Sequence, residues 1–269
     1  MLKIINMSKN IRFFFIFILG FIAYYLFDFY CFKIIQEQSK EIFHSKAIAH
    51  ILAYSITIIP LIGTAKILFP KKHVSDLFSL NQPISTGFIL SFFATLPMLI
   101  GYSVFFSLSN ELNIESLFIN TISSAFFEEL IFRAFLIGLL FKFTKLGFIT
   151  SILLASSIFA QAHLYQGSTT IELIQVFSIT FLGSILFAWV YSEWNFNIWT
   201  AIFLHFFMNL YWSIFTVDNN AAGNTLGNIF RFASIFLVIL LTIYHKKRKK
   251  IPLQVTWKSL FIKSKEIQS

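Results

Sequence analysis

Apolar runs of about twenty residues recur along this chain and decide what it can fold into. A helix that crosses the hydrocarbon core of a bilayer needs about 20 mostly apolar residues. The connections between the runs are too short for a second folded domain. The eight runs cover residues 12–32, 47–69, 84–108, 118–141, 147–165, 171–192, 196–216 and 225–244. We therefore predict an all-α fold, a polytopic membrane helix bundle with about eight transmembrane helices.

The composition points to the bilayer as the solvent of this chain. Charged residues make up 12% of the sequence and hydrophobic residues 57%, whereas soluble domains carry about 25% charged residues. So little charge cannot cover a globule of this size in water. We predict a single transmembrane domain over residues 1–244, with a motif-bearing core at about 118–216, and a basic cytoplasmic tail over residues 245–269. The single cysteine, Cys31, excludes an intrachain disulfide and a cysteine-based structural zinc site.

The distribution of Lys and Arg predicts the orientation. With the N-terminus inside, sixteen of these residues fall in cytoplasmic segments and four in outer ones. Because cytoplasmic loops carry the excess of positive charge, both termini are expected in the cytoplasm, and the helix number is expected to be even. The basic run at 245–250 fits either a patch that binds nucleic acid or anionic lipid, or a topology anchor on the cytoplasmic side, and we favour the anchor. We predict a multi-pass protein of the cell membrane with no nucleic-acid partner, and the composition suggests a bacterial source.

Three charged residues interrupt the fourth apolar run. Each charge at the centre of a spanning helix costs about 2.5–3.5 kcal/mol on insertion scales. Glu129 and Arg133 are four residues apart, so they share a helix face and can pair. Glu128 lies about 100° around the helix from Glu129, so its carboxylate is left available for another role. A purely structural salt bridge is the alternative, but it explains one glutamate and not two.

Two later runs add histidines and an asparagine. His163 lies near the end of the fifth run, and His205 and Asn209 share one face of the seventh. A lone histidine in a membrane helix is more often a packed residue than a ligand. Ionisable residues within spans, however, usually face the bundle interior and mark a functional site. Their combination with Glu128 and Glu129 therefore favours an active site.

The patterns Glu128-Glu129-x-x-x-Arg133, Phe159-x-x-x-His163 and His205-x-x-x-Asn209 resemble the motif series of the type II CAAX prenyl endopeptidases. The similarity is to the bacterial branch, the CAAX protease and bacteriocin-processing (CPBP, or Abi) family, and covers about residues 120–215. The resemblance implies an intramembrane protease that cleaves a membrane-associated peptide or protein. It implies either prenylated-type C-terminal tails as substrates or, in bacteria, roles in peptide maturation, immunity or signalling.

Peptide hydrolysis needs an activated water, a donor to the developing oxyanion and a proton for the leaving amine. Glu128 and His163 can hold and deprotonate water, and His205 and Asn209 can donate to the oxyanion. Glu129 and Arg133 can orient the site, or Arg133 can bind a substrate carboxylate. The resemblance implies the same roles. Glu128, His163 and His205 also match the ligand types of a catalytic zinc, so zinc is retained as a candidate cofactor and metal dependence is left open.

Two other functions remain open. The buried acids and histidines can serve a proton-coupled transporter, although the sequence lacks the internal repeat and broken helices that transporters often show. The chain can also be a non-catalytic bacteriocin-immunity or scaffold protein that retains the fold. No His-Glu-x-x-His motif is present, and Gly183-Ser184 has no nearby base, so that pair is expected to serve close helix packing.

Overall fold

A computed structural model describes residues 9–263 of the chain. Lys3 and residues 264–269 of the predicted tail lie outside this part. Within it the secondary structure is helical, and β-pairing is limited to two isolated bridges, Leu108 with Phe215 and Leu146 with Ile262. The α-helices are α1 (Lys9–Phe43), α2 (Lys46–Thr57), α3 (Ile59–Leu68), α4 (Val74–Leu77), α5 (Ile84–Phe105), α6 (Ile114–Phe118), α7 (Ser124–Glu129), α8 (Leu139–Phe143), α9 (Phe148–Ala162), α10 (Thr170–Glu193), α11 (Ile198–Ile214) and α12 (Thr225–Lys249).

The predicted membrane fold is confirmed. In the described part of the chain six helical segments are long and apolar enough to cross a membrane. They are Asn10–Phe43, Lys46–Leu68, Ile84–Phe105, Phe148–Gln166, Thr170–Glu193 and Thr225–Lys249. The predicted seventh run forms the shorter apolar helix α11, and the predicted fourth run forms α6 to α8 joined by π-helical turns. The protein is thus an all-α, multi-pass membrane bundle, and the number of eight crossings stays a prediction.

The described chain falls into two compact units that divide after Leu77. In the first unit α1 packs along α2 and α3. A Cβ atom on Gly20 would collide with the Thr64 side chain, so glycine permits α1 to approach α3 closely. α2 and α3 are one span with a break at Ile58, next to Pro60 at the start of α3.

The second unit is built around α5, which packs against both α11 and α12. Its core is a cluster of buried aromatic and aliphatic side chains from α5, α11 and the segment that follows α11. The members are Met98, Tyr102, Phe207, Tyr211, Phe215 and Val217. α9 packs on α10, and residues 114–143 contact α9 and α11. These contacts bring together the three segments that carry the sequence motifs.

A C-terminal strap, residues 250–263, folds back onto the second unit. Gly147 N–H donates to the Phe261 carbonyl at 2.7 Å, and Ile149 N–H donates to the Leu260 carbonyl at 2.8 Å. The Glu193 carboxylate, which is fully buried, accepts from the Gln254 and Val255 backbone N–H groups at 3.0 and 2.9 Å. Residues 250–263 of the predicted basic tail are therefore anchored to the helical body.

Candidate active site

The acidic motif lies within a continuous helical stretch, residues 114–143, that is not a regular α-helix. Two π-helical segments, Ile119–Ser123 and Leu130–Gly138, flank α7. A π-turn bonds residue i to residue i+5 and widens the helix, a feature that the apolar pattern of the fourth run does not predict. Such turns in α-helices are frequent at functional sites. Glu128 and Glu129 end α7 and stand directly before the second π-segment.

Glu129, Arg133 and His205 form a buried charged cluster. Glu129 Oε1 lies 3.0 Å from Arg133 Nη1, and both side chains are fully buried. The predicted pairing of these two residues is confirmed. The same Glu129 oxygen lies 2.8 Å from His205 Nδ1, on α11. Because a carboxylate only accepts here, His205 Nδ1 carries the proton and donates to Glu129. The cluster therefore ties the acidic motif to α11 and fixes the orientation of the imidazole.

Arg133 is enclosed by aromatic rings. Its guanidinium carbon lies 4.5 Å from the centre of the Phe159 ring and 5.4 Å from that of Phe187. A cation over an aromatic face is attracted by the ring quadrupole, more so where water is excluded. Arg133 also interacts electrostatically with Glu128 as well as with Glu129. One positive charge thus faces two carboxylates in an apolar surrounding.

Glu128 differs from Glu129 in its surroundings. It is only partly buried as a whole, whereas Glu129 is fully buried, and its Oε2 atom, like that of Glu129, is buried with no hydrogen-bond partner among residues 9–263. A buried carboxylate oxygen without a donor is costly, so it is a natural place for a water or a substrate group. The expectation that Glu129 takes Arg133 and leaves a carboxylate of Glu128 open agrees with this arrangement.

His163 sits at the C-terminal end of α9, where it caps the helix. Its Nδ1 lies 2.7 Å from the Phe159 carbonyl oxygen. A carbonyl can only accept, so Nδ1 carries the proton, and in the neutral ring Nε2 has a free lone pair. The His163 ring also packs on the Phe159 ring at 4.4 Å, and Phe159 in turn lies 6.4 Å from the His205 ring. Phe159 therefore packs against Arg133 and against both histidine rings.

Asn209 lies one turn after His205 on α11. Its side-chain Nδ2 donates to the Asn120 carbonyl at 2.9 Å, in the first π-segment. This bond uses one of the two amide N–H groups and ties α11 to residues 114–143 a second time. The six predicted residues thus come from three packed helical segments. The helix contacts bring these segments together.

The zinc prediction can be compared with the donor geometry. Within residues 9–263 no three His, Cys, Asp or Glu side chains are grouped so that they could hold a metal ion. Glu128, His163 and His205 are therefore not assembled as a ligand set in this arrangement. The hydrogen bond at Nδ1 of each histidine does not itself prevent ligation, since metal-bound histidines commonly donate their other ring N–H to a carbonyl or carboxylate oxygen. Zinc binding stays a prediction.

Sequence reasoning did not find every contributor to the site. Phe187, on α10, covers Arg133 and lies 5.8 Å from the His205 ring. Asn120 supplies a main-chain carbonyl to Asn209. Phe187 lies in a run of apolar residues that gives it no distinguishing pattern. A carbonyl contact carries no side-chain signature, so neither contributor was accessible from spacing.

Comparison with known proteins gives one family match. Residues 110–211 match the family described as type II CAAX prenyl endopeptidase Rce1-like. The interval contains all six predicted site residues and agrees with the resemblance drawn from the motifs. No curated protein and no solved structure matches the chain.

Proposed function

With residues 110–211 taken as a region of the type II CAAX prenyl endopeptidase Rce1-like family, we propose that this chain is an intramembrane endopeptidase. It hydrolyses a peptide bond in a membrane-associated peptide or protein. The observation that carries the proposal is the buried Glu129–Arg133–His205 cluster beside Glu128, whose buried Oε2 has no partner in the described chain. A packing salt bridge alone does not require a second carboxylate next to it.

In the first step of the proposed mechanism, Glu128 and His163 activate the attacking water. The Glu128 carboxylate takes a proton from the water while the water oxygen attacks the scissile carbonyl carbon. His163 Nε2, which holds a lone pair, accepts the second water hydrogen in a hydrogen bond and aligns the attacking oxygen. The proton on Glu128 then passes to the leaving amine nitrogen as the C–N bond breaks. One group thus acts as general base and then as general acid.

The second element of the mechanism stabilises the developing oxyanion. His205 donates to Glu129 through Nδ1, and in its doubly protonated form Nε2 donates as well. The remaining N–H of Asn209 is the second donor. Donors that are held in place before the reaction stabilise the transition state without having to reorganise. The Glu129–Arg133 pair holds His205 in place, and the Asn120 carbonyl holds Asn209.

The proposal extends to the setting of the reaction. The chain lies in the cell membrane of a bacterium with both termini in the cytoplasm, and its substrate reaches the site from the lipid phase or the membrane surface. Six helical segments within residues 9–263 are long and apolar enough to cross a membrane, and the predicted cytoplasmic segments carry the excess of positive charge. Both observations support this setting.

Site variants test the proposal. We expect Glu128→Ala and His163→Ala to abolish cleavage, while the matched exposed variants Glu37→Ala and His73→Ala retain it. The measurement is comparative peptidomics of cells that carry each form, followed by cleavage of the identified peptide by purified protein in liposomes. Thermal melting in detergent verifies that each variant is folded.

Three outcomes would contradict the proposal. Full cleavage by both folded site variants removes the site assignment. A growth-protection phenotype that survives Glu128→Ala, with no peptide change, favours the immunity or scaffold function. Ion-dependent flux in liposomes that Glu128→Ala abolishes, without cleavage, favours the transporter.

Zinc content is a separate prediction. If Glu128, His163 and His205 close around zinc when it binds, the purified wild-type chain carries about one zinc ion per chain and Glu128→Ala loses it. Elemental analysis of protein purified without chelator measures this. Equal metal content in both forms would remove the metal assignment and leave the water-activating role of Glu128 to be judged by the cleavage assay.

A further inference from the structure

A groove of about 520 Å³ opens between the first half of α5 and the last turns of α12. Its volume falls within the range of about 300–1,000 Å³ that small-molecule sites occupy. The lining combines side chains from α5, the end of α10 and α12. It shares no residue with the candidate active site, so it needs an explanation of its own.

The two ends of the groove differ in polarity. Along α5 it is lined by Ile89, Leu90 and Phe93, and along α12 by Leu241. The end of α12 contributes Arg248 and Lys249 at the rim. With a rise of about 1.5 Å per residue, Leu241 and Arg248 are separated by about 10 Å along α12. The groove is therefore apolar within the span and cationic at its end.

The rim cations are not used elsewhere in the described chain. The neighbouring Lys246 is buried and lies 3.2 Å from the Glu193 carboxylate. Arg248 and Lys249 are exposed and form no ion pair within residues 9–263. A topology anchor requires only that such charges stay in water. It does not require two of them to border an apolar groove.

Two aromatic residues mark the level of the membrane surface. Trp194 and Tyr244 both line the groove, and Trp and Tyr are enriched where the hydrocarbon core meets the headgroups. Trp194 is held in place, because its Nε1 donates to Thr242 Oγ1 at 2.9 Å and its ring stacks on His245 at 4.3 Å. The cationic rim thus lies beyond the aromatic level, where phosphate groups are found.

We infer that this groove binds one anionic phospholipid of the inner leaflet. An acyl chain lies along Ile89, Phe93 and Leu241, and the headgroup phosphate is held by Arg248 and Lys249. Charge complementarity selects an anionic headgroup over a zwitterionic one, since basic pockets between spanning helices on the cytoplasmic side suit anionic lipids. The lipid also links α12 to α5, which packs against the helix that carries His205 and Asn209.

Native mass spectrometry of the purified full chain, titrated with phosphatidylglycerol, tests the inference. We expect one phosphatidylglycerol to bind more tightly than any phosphatidylcholine. The double variant Arg248→Ala with Lys249→Ala should weaken that first binding step by about 30-fold, from the loss of two cationic contacts at the membrane surface. The matched double variant Lys247→Ala with Lys250→Ala removes the same charge from the same run but no groove residue, and should leave the first binding step nearly unchanged.

A second variant tests the apolar part of the groove. Leu241→Trp fills the space where the acyl chain lies and should weaken binding while all basic residues remain. Thermal melting verifies that each variant is folded. Equal weakening by the two double variants would show attraction to the charge run as a whole and would overturn the inference. Equal affinity for phosphatidylcholine, or full affinity in folded Leu241→Trp, would overturn it as well.

Discussion

Arg133 lies fully buried between a carboxylate and two aromatic rings, and its charge is balanced only within the protein. Removal of one partner from a buried ion pair leaves the other charge uncompensated in an apolar surrounding. At this residue a structural requirement coincides with the role proposed for the site. The pair that stabilises the bundle also holds the His205 imidazole.

Arg133→Ala is expected to destabilise the protein by about 3–5 kcal/mol, because it strands the buried Glu129 carboxylate. Chemical or thermal unfolding in detergent measures the loss. Lys33→Ala, which breaks the exposed Lys33–Glu37 pair, is the matched control and should change stability little. An unfolding midpoint for Arg133→Ala equal to that of the wild type would contradict a stabilising role for the buried pair.

The contacts of the site were predictable only as far as local spacing reaches. The Glu129–Arg133 pair followed from a separation of four residues. The Glu129–His205 bond joins residues 76 positions apart, and it depends on how α11 packs against residues 114–143. The rotation of a side chain such as His163 toward its own carbonyl is set by packing as well. Spacing therefore indicated the six candidate site residues, but not the hydrogen bonds and ion pairs that join them.

Residues 114–143 show what sequence periodicity misses at the level of an element. Their apolar pattern indicates one spanning helix, and a helical stretch is present, but two π-segments interrupt the α-geometry. The apolar residues around the motif satisfy either geometry, so composition does not distinguish the two. The π-turns accompany the positions where Asn120 and Glu129 contact α11, and tertiary contacts of this kind are not encoded in local pattern.

Close packing of α5 on α11 depends on Gly87. A Cβ atom there would lie 2.5 Å from the Trp199 backbone carbon, and the nearby Ser91 hydroxyl donates to the Thr200 carbonyl at 3.1 Å. The expected packing role of Gly183 was wrong, since a Cβ atom on it would have no contact within 4 Å. Its neighbour Ser184 is fully buried, so the two residues point to different surroundings.

Gly87→Ala is expected to destabilise the bundle by about 1–3 kcal/mol, because the added methyl group forces α5 away from α11. Gly183→Ala makes the same chemical change in α10 without a steric contact, and the better helix propensity of alanine should leave stability equal or slightly higher. Unfolding measurements on both variants compare the two sites. A larger loss for Gly183→Ala than for Gly87→Ala would contradict the packing described here.

For the molecule as a whole, hydropathy and charge were sufficient to predict a helical membrane protein. Each of the eight apolar runs overlaps a helical segment of the structure. The ends were less predictable, since α1 continues to Phe43 and α12 to Lys249. Helices extend beyond the apolar core where polar residues still favour helix, so hydropathy marks the membrane-buried part and not the helix ends. The strap was missed because main-chain pairing leaves no mark in composition.

The predicted orientation can be measured with single cysteines. In a Cys31→Ser background, Glu111→Cys should react with a membrane-impermeant maleimide added to intact cells, whereas Lys258→Cys should react only after the cells are opened. Both positions are exposed on the protein, so access depends on the membrane alone. The reverse pattern would contradict the orientation derived from the positive charge.

The strap places a constraint on how the protein matures during synthesis. Thr150 Oγ1 donates to the Phe261 carbonyl across 111 positions of sequence, so the ribosome has already passed the codons of every described membrane helix before this partner exists. Until then the main-chain groups of residues 144–149 form hydrogen bonds with water or lipid headgroups in the nascent chain. Completion of that end of the bundle is thus a late event, and it follows translation of the last helix instead of accompanying the insertion of α9.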